Sequence, residues 1–250
     1  NTSVNDSYLS AVRALRFKLV FIGDQNAGKT SIINRFMYDD FNPQVNVNPS
    51  PPTPMLSPFI ATIGIDFIAK TLMFQDKTLR LQLWDTAGQD RFRSLIPSYL
   101  KDASTAIVAY DIAGIYPLLQ DSQHRFSDRK TFDNLPIWMQ FIKDNCPEEC
   151  QLALVANKLD LKDNSKPEPE NRAKFSFFRK VTAEEGLEFA KKHNMVFQEV
   201  SAKTGENIMT LFNNLAAELA KNKLNNTTMV SDVPQGEFIA EKKVADLKLI

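Results

Sequence analysis

GDQNAGKT, residues Gly23–Thr30, follows the apolar run FKLVFIG and precedes a stretch with helical spacing of apolar residues. This setting matches the phosphate-binding pattern G-x-x-x-x-G-K-[ST]. The two glycines let backbone N–H groups surround a phosphate without a Cβ collision, and the helix N-terminus adds partial positive charge. Lys29 is predicted to contact the β- and γ-phosphates, and Thr30 is predicted to ligate Mg²⁺. The stretch therefore predicts a nucleoside triphosphate site at a strand-to-helix turn.

WDTAGQ, residues Trp84–Gln89, ends a second predicted strand, in which apolar and polar residues alternate. Asp85 at the strand end can hold the metal ion through a water molecule. Gly88 can present its backbone N–H to a γ-phosphate, and Gln89 can orient a water molecule. A simple strand-end turn is the alternative for this stretch alone. Together with the phosphate loop, the stretch predicts nucleotide hydrolysis.

NKLD, residues Asn157–Asp160, ends a further apolar run. The Asp160 carboxylate can accept hydrogen bonds from the N1 and N2 donors of guanine, which adenine lacks. Each bond to a charged group contributes about 1.5–3 kcal/mol, which is enough to select GTP over ATP. SAK, residues Ser201–Lys203, is predicted to complete the base pocket, although a tripeptide of this kind alone is more often a helix cap.

The composition is that of an ordinary globular chain of 250 residues, 43% hydrophobic and 24% charged. Thirty basic side chains balance thirty acidic ones, so charge gives no argument for a nucleic-acid partner. No apolar run approaches the roughly 18 residues that a transmembrane helix needs. We therefore expect a soluble, cytoplasmic protein with a single folded domain.

Strand-like and helix-like stretches alternate along the chain, which predicts a doubly wound α/β fold with a mostly parallel sheet. The predicted strands are 17–23, 70–74, 77–85, 103–112, 151–160 and 195–203, and the predicted helices are 30–41, 135–145, 182–194 and 206–223. We divide the chain into a flexible segment 1–15, a folded domain 16–222 and a variable tail 223–250.

Three segments, near 43–59, 113–128 and 164–178, show neither helical nor strand periodicity and are predicted to be irregular surface insertions. The first is rich in proline, which favours an extended, solvated course. For 113–128 we also hold the hypothesis of a retained intron, since joining DIA directly to DRKTF leaves an ordinary short connection.

The four motifs, in this order, resemble those of the Ras-like small GTPases. ATIGIDF, LQLWDTAGQDRFRSLIPSYLKDA and FKLVFIGDQNAGKTSIINRFMYDDF are similar to the Rab family, and within it to the Golgi-type Rab-six branch. The resemblance covers about residues 16–222 apart from the three insertions. It implies a P-loop GTPase domain that hydrolyses GTP slowly and regulates vesicle-mediated transport at Golgi membranes.

The resemblance also implies roles for individual residues. Phe41 should stack near the guanine, Lys158 should pack on the base, and Ala202 should offer it a backbone N–H. Thr62 should bind Mg²⁺ and the γ-phosphate only in the GTP state, and Gln89 should be the catalytic residue that positions water. The expected nucleotide-binding residues are Gly23, Asp24, Gln25, Asn26, Ala27, Gly28, Lys29, Thr30, Ser31, Phe41, Thr62, Asp85, Gly88, Asn157, Lys158, Asp160, Ser201, Ala202 and Lys203, and the expected metal site comprises Thr30, Thr62 and, through water, Asp85.

The implied cofactors are GTP or GDP and Mg²⁺, and the implied partners are an exchange factor, a GTPase-activating protein and effectors. Members of the family carry prenylated C-terminal cysteines, whereas this sequence ends in LKLI. We therefore expect membrane attachment only if a lipidated C-terminus exists beyond or instead of the one shown.

Two alternative functions stay open beside the GTPase switch. Twenty residues, 42–61, separate Phe41 from Thr62, so the chain could be a guanine-nucleotide-binding scaffold that does not switch. Intact Thr62, Asp85 and Gln89 argue against this alternative. An ATP-using P-loop kinase is the third hypothesis, and the NKLD motif argues against it.

Overall fold

The computed structural model describes residues 14–41, 65–74, 77–88, 90–117, 129–162 and 175–228. Eight strands lie in these ranges. They are β1 (Leu15–Ile22), β2 (Ile65–Phe74), β3 (Lys77–Thr86), β4 (Thr105–Asp111), β5 (Ala113–Pro117), β6 (Gln151–Asn157), β7 (Phe175–Arg179) and β8 (Val196–Glu199). Six of them form one sheet in the order β2-β3-β1-β4-β6-β8, in which only β2 runs antiparallel to its neighbour.

Helices connect the strands and cover both faces of the sheet. They are α1 (Lys29–Tyr38), α2 (Ile96–Leu100), α3 (Lys130–Asp133), α4 (Leu135–Asn145), α5 (Ala183–Lys192) and α6 (Ile208–Thr228), with 3₁₀ helices at Asp90–Leu95 and Leu159–Leu161. Within the described ranges, none of these helices is both long enough and apolar enough to cross a membrane.

Strand β1 shows why the sheet is covered on both faces. Phe17, Leu19 and Phe21 contribute to one core cluster, with α1 and α6, whereas Val20 and Ile22 contribute to the other, with α4. Successive side chains of a strand point to opposite faces of the sheet, so a strand with apolar residues at consecutive positions must be covered on both faces. The prediction of a doubly wound, mostly parallel α/β sheet is therefore confirmed.

The predicted elements differ from the observed ones mainly at their ends. Strand β2 begins at Ile65, five residues before the predicted start, because it pairs with β3 over its full length, from Ile65 opposite Thr86 to Phe74 opposite Lys77. Helix α6 continues to Thr228, into the segment assigned to the variable tail. Local periodicity at a strand or helix end is weak, and pairing with a neighbour extends the element.

Two of the predicted irregular insertions contain a regular element, so that part of the prediction is wrong. Strands β5 and β7, from the segments 113–128 and 164–178, pair in antiparallel register, with Ala113 opposite Arg179 and Pro117 opposite Phe175. The Ile112 carbonyl accepts hydrogen bonds from the backbone N–H groups of Lys180 and Val181 at 2.7 and 3.2 Å, which ties this ladder to the end of β4. The segment 43–59 lies outside the described residues.

Candidate functional site

The turn between β1 and α1 requires glycine at two positions. Gly23 has φ 131°, and a Cβ there would lie 2.3 Å from the carbonyl oxygen of Ala109. Gly28 has φ 86°, and its Cβ would lie 2.2 Å from the Asn157 side-chain nitrogen. Any other residue would be strained in the left-handed region and would also collide. The close approach of the backbone to β4 and β6 therefore depends on these two glycines.

Lys29 is held inside this turn. Its Nζ donates hydrogen bonds to the backbone carbonyls of Gly23 at 2.8 Å and Asp24 at 2.9 Å, and only 6% of the residue is exposed. Burial lowers the pKa of Lys29 to about 8, against the opposing effect of Asp85 and Asp24. A partly desolvated ammonium of this kind gains more from an anionic ligand than an exposed one does.

The first turn of α1 meets the end of β3. The Thr30 hydroxyl donates to the Asp85 carboxylate at 2.5 Å. The sequence predicted that Asp85 acts on the metal through water, and the structure places it in direct contact with Thr30, another of the three predicted ligands. Hydroxyl and carboxylate oxygens are ligands that suit Mg²⁺, so this pair fits that ion.

Gly88 lies directly against the phosphate loop. A Cβ at this position would lie 2.4 Å from the backbone nitrogen of Gln25 and 2.5 Å from the carbonyl carbon of Asp24. The two turns that follow β1 and β3 can therefore approach only with glycine here. The predicted contact of the Gly88 N–H with a γ-phosphate stays a prediction.

Asn157 joins two predicted motifs through one buried side chain. Its Nδ2 donates to the carbonyl of Ala27 at 3.0 Å, and its Oδ1 accepts from the backbone N–H of Ala202 at 3.1 Å. The residue is 2% exposed. The phosphate loop and the turn after β8 are therefore linked by an amide that uses both its donor and its acceptor.

The SAK stretch holds Asp160. The Ser201 hydroxyl donates to Asp160 Oδ1 at 2.7 Å and accepts from the backbone N–H of Thr204 at 3.1 Å, while Lys203 Nζ lies 3.7 Å from Asp160 Oδ2. Ser201 is completely buried. Its hydroxyl therefore fixes the orientation of the Asp160 carboxylate through one of its oxygens.

Lys158 has a partner that the sequence analysis did not identify. Its Nζ lies 2.5 Å from Asp111 Oδ2, and Asp111 Oδ1 accepts from the backbone N–H of Ala113 at 2.9 Å. Burial raises the pKa of Asp111, and the neighbouring ammonium opposes that shift. Lys158 itself has φ 70°, which turns the chain directly after β6. Lys158 is thus linked through Asp111 to the first residue of β5.

The carboxylate of Asp24 is also anchored outside the predicted motifs. It accepts hydrogen bonds from Asn134 Nδ2 at 2.5 Å and from Trp138 Nε1 at 2.8 Å. Nothing in the spacing of these two residues distinguished them from ordinary residues at the start of a helix.

The remaining predicted residues fall into two groups. Phe41, after the end of α1, packs partly buried against the core cluster that contains Phe36. Gln25 and Asn26 are exposed, and Ser31 is partly buried in the first turn of α1. Thr62 and Gln89 lie outside the described residues.

These groups fit a nucleoside triphosphate with Mg²⁺. They provide a backbone turn that requires glycine at two positions, the buried ammonium of Lys29, and the hydroxyl and carboxylate oxygens of Thr30 and Asp85. Comparison with protein-family models gives a match to the Ras family over residues 18–221. The match spans well over half of the chain and includes every predicted motif.

Proposed function

This chain belongs to the Ras family of small GTPases, and from that premise we propose that it is a Rab-type switch that binds and hydrolyses GTP and regulates vesicle-mediated transport at the Golgi. Ras-family GTPases bind GTP and GDP, typically with Mg²⁺, and generally interact with exchange factors, activating proteins and effectors. The Rab assignment and the Golgi location rest on ATIGIDF, on the WDTAGQDRFRSLIPSY stretch and on the residues around the phosphate loop.

The observation that carries the proposal is the arrangement of three functional groups at one edge of the sheet. Lys29 begins α1 directly after the turn that follows β1, the Thr30–Asp85 hydrogen bond joins α1 to the end of β3, and Asp160, which follows β6, accepts a hydrogen bond from Ser201. In an open α/β sheet, ligands bind outside the carboxyl ends of the strands, where the strand order reverses. Here β1 lies between β3 and β4, so the phosphate loop stands at that reversal.

Each group has a distinct task in this proposal. Lys29 exchanges its two carbonyl partners for phosphate oxygens, and Asp160 accepts from the two guanine donors. Gly88 offers its N–H to the γ-phosphate, and Gln89 orients the attacking water. Thr30 and Thr62, and Asp85 through a water molecule, would hold Mg²⁺, which would supply positive charge to the phosphate oxygens.

Hydrolysis by this machinery should be slow without a partner. We assign no arginine of this chain to the γ-phosphate, so the charge that develops there is incompletely neutralised. Intrinsic rates for such sites are on the order of 10⁻⁴ per second, and a partner's arginine raises them by several orders of magnitude.

The decisive biochemical test is to identify the nucleotide that copurifies with the chain and to follow one turnover of bound GTP. We expect GDP or GTP, and slow hydrolysis that Gln89→Leu abolishes without loss of GTP affinity. Gln140→Leu, on the exposed side of α4, is the matched control and should hydrolyse like the wild type. Copurified ADP or ATP would overturn the proposal in favour of the kinase hypothesis.

The switch and the scaffold differ in one measurement. A switch should show different protease sensitivity when loaded with GDP or with a non-hydrolysable GTP analogue, and the difference should require Mg²⁺. Identical digestion in the two states would favour the non-switching scaffold.

The Golgi role needs a separate test in cells. Thr30→Asn removes the hydroxyl that meets Asp85, and its expression should slow the passage of a secretory cargo through the Golgi. Thr71→Asn, an exposed position on β2, is the matched control. Normal cargo transport with both variants would contradict the Golgi assignment and leave GTP hydrolysis untouched.

A further inference from the structure

Helix α4 and the residue that precedes it supply the two hydrogen-bond donors to the Asp24 carboxylate. Asn134 precedes the helix, and its carbonyl accepts the Ile137 and Trp138 backbone N–H groups at 3.0 and 3.3 Å. The two side chains therefore project from one helical turn, and each donates to a different oxygen of Asp24, at 2.5 and 2.8 Å. One helical turn thus presents both donors to the same carboxylate.

The anchoring bears on the charge of the phosphate loop. Asp24 uses its backbone carbonyl for Lys29, at 2.9 Å, while its carboxylate is directed to α4. A free carboxylate in this loop would repel phosphates and compete with them for the Lys29 ammonium. Asp24 is only 8% exposed, so water screens the charge of its carboxylate poorly. Asn134 and Trp138 thus keep an acidic residue compatible with an anionic ligand.

Trp138 also contacts the segment that follows Gln89. The guanidinium carbon of Arg93, in the 3₁₀ helix Asp90–Leu95, lies 4.8 Å from the centre of the Trp138 ring. This is the distance of a cation–π contact. Trp138 is only 1% exposed. Its indole N–H donates to Asp24 in the phosphate loop, and its ring face contacts Arg93 in the 3₁₀ helix after β3.

We propose that Trp138 is a positioning residue that couples the phosphate loop to the 3₁₀ helix Asp90–Leu95. Its N–H holds the Asp24 carboxylate in place, and its ring makes a cation–π contact with Arg93. The inference rests on the proposed nucleotide site and adds a residue that none of the sequence motifs contains. A change in either contact should alter both the release of nucleotide and the environment of the indole.

The variant Trp138→Phe keeps an aromatic ring for Arg93 but removes the donor to Asp24. We expect it to release a fluorescent GDP analogue about tenfold faster than the wild type, since a bond to a charged group is lost. Trp84→Phe is the matched control, because the Trp84 N–H has no hydrogen-bond partner within the described residues, and it should release GDP at the wild-type rate. Equal rates for Trp138→Phe and the wild type would overturn the proposal.

Asn134→Ala provides an independent measurement if Trp138→Phe does not fold. It removes the second donor and should also accelerate GDP release, by at least threefold. In the double variant the two effects should be less than multiplicative, because both bonds hold the same carboxylate. Purely multiplicative effects, or wild-type release from Asn134→Ala, would contradict the anchoring. A lower melting temperature with unchanged release would assign both residues a structural role only.

The coupling to Arg93 is tested by fluorescence. The chain has two tryptophans, so Trp84→Phe leaves Trp138 as its only indole. In that background, we expect the emission maximum to differ between the GDP form and a form with a non-hydrolysable GTP analogue, and Arg93→Gln should reduce the difference. Arg80→Gln, at an exposed position on β3, is the control. An emission spectrum that responds neither to the nucleotide nor to Arg93→Gln would refute the coupling, whereas failure to bind any guanine nucleotide would refute the proposed function itself.

Discussion

Replacing Asn157 with alanine should loosen the nucleotide site in a way that the structure allows us to quantify. Its amide links the Ala27 carbonyl at 3.0 Å to the Ala202 N–H at 3.1 Å, at a site where Asn157 is 2% exposed. Alanine supplies neither the donor nor the acceptor. Two buried polar groups therefore lose their protein partner at once.

Each buried group without a partner costs about 1–2 kcal/mol at the lower end of the measured range, so the variant should lose about 2–4 kcal/mol of unfolding free energy. For a domain of this length, that loss corresponds to a melting temperature about 5–15 °C lower. Because the two lost bonds join the phosphate loop to the turn after β8, we also expect faster GDP release, by at least tenfold.

Thermal unfolding of the GDP-loaded protein and displacement of a fluorescent GDP analogue measure these two effects. Asn145→Ala is the matched control, since the Asn145 side chain donates to the Phe141 carbonyl, at 2.8 Å, near the far end of α4. It should change neither quantity appreciably. If Asn157→Ala melts and releases GDP like Asn145→Ala, the two loops are held by something other than this amide, and the reasoning fails.

Three further predictions address base choice, charge and the first insertion. Asp160→Asn should weaken GTP binding at least tenfold and improve binding of xanthosine triphosphate, because the new amide donates where that base presents an oxygen; unchanged preference between the two nucleotides in a competition assay would remove Asp160 from the base site. Because burial lowers the pKa of Lys29 from 10.5 to about 8, the folded state binds fewer protons than the unfolded one between those values, so unfolding free energy should rise with pH from about 8 to 10.5. Denaturant titrations of the nucleotide-free protein should show this rise, and Lys29→Met should lack it; parallel pH profiles would count against the shift. Deleting Asn46–Phe59 should keep GTP binding and raise effector affinity less than tenfold, because the extra length of this connection costs only about 1 kcal/mol in closure entropy. If effector binding depends on the γ-phosphate only after the deletion, the insertion is the element that disables switching.

The fold class was predictable because its signals are local. Apolar runs such as residues 17–23 and the helical spacing in 135–145 depend only on neighbouring residues, and α4 has the predicted bounds Leu135–Asn145. Strand ends and the 3₁₀ helix Asp90–Leu95 were not predicted, since they depend on pairing and packing with distant parts of the chain.

The sequence by itself determined the chemistry of the phosphate loop. The backbone of this turn restricts positions 23 and 28 to glycine for steric reasons, and the negative charge of a phosphate favours lysine at position 29, so residues at this spacing indicate a phosphate site. The pairing of β5 with β7 had no such signal: Gly114 and Phe178 are far apart in the chain, and neither segment alternates in the manner of a half-buried strand.

Only the tertiary structure decided which side chains support the motif residues. Asp24 is bonded to Trp138, 114 positions away, and Lys158 to Asp111, 47 positions away. A hydrogen bond of this kind requires two atoms to come within about 3 Å, and that proximity arises from the packing of helices and strands. Asn134, Trp138 and Asp111 have ordinary local surroundings in the sequence, so their partners become visible only when the sheet and α4 have been assembled.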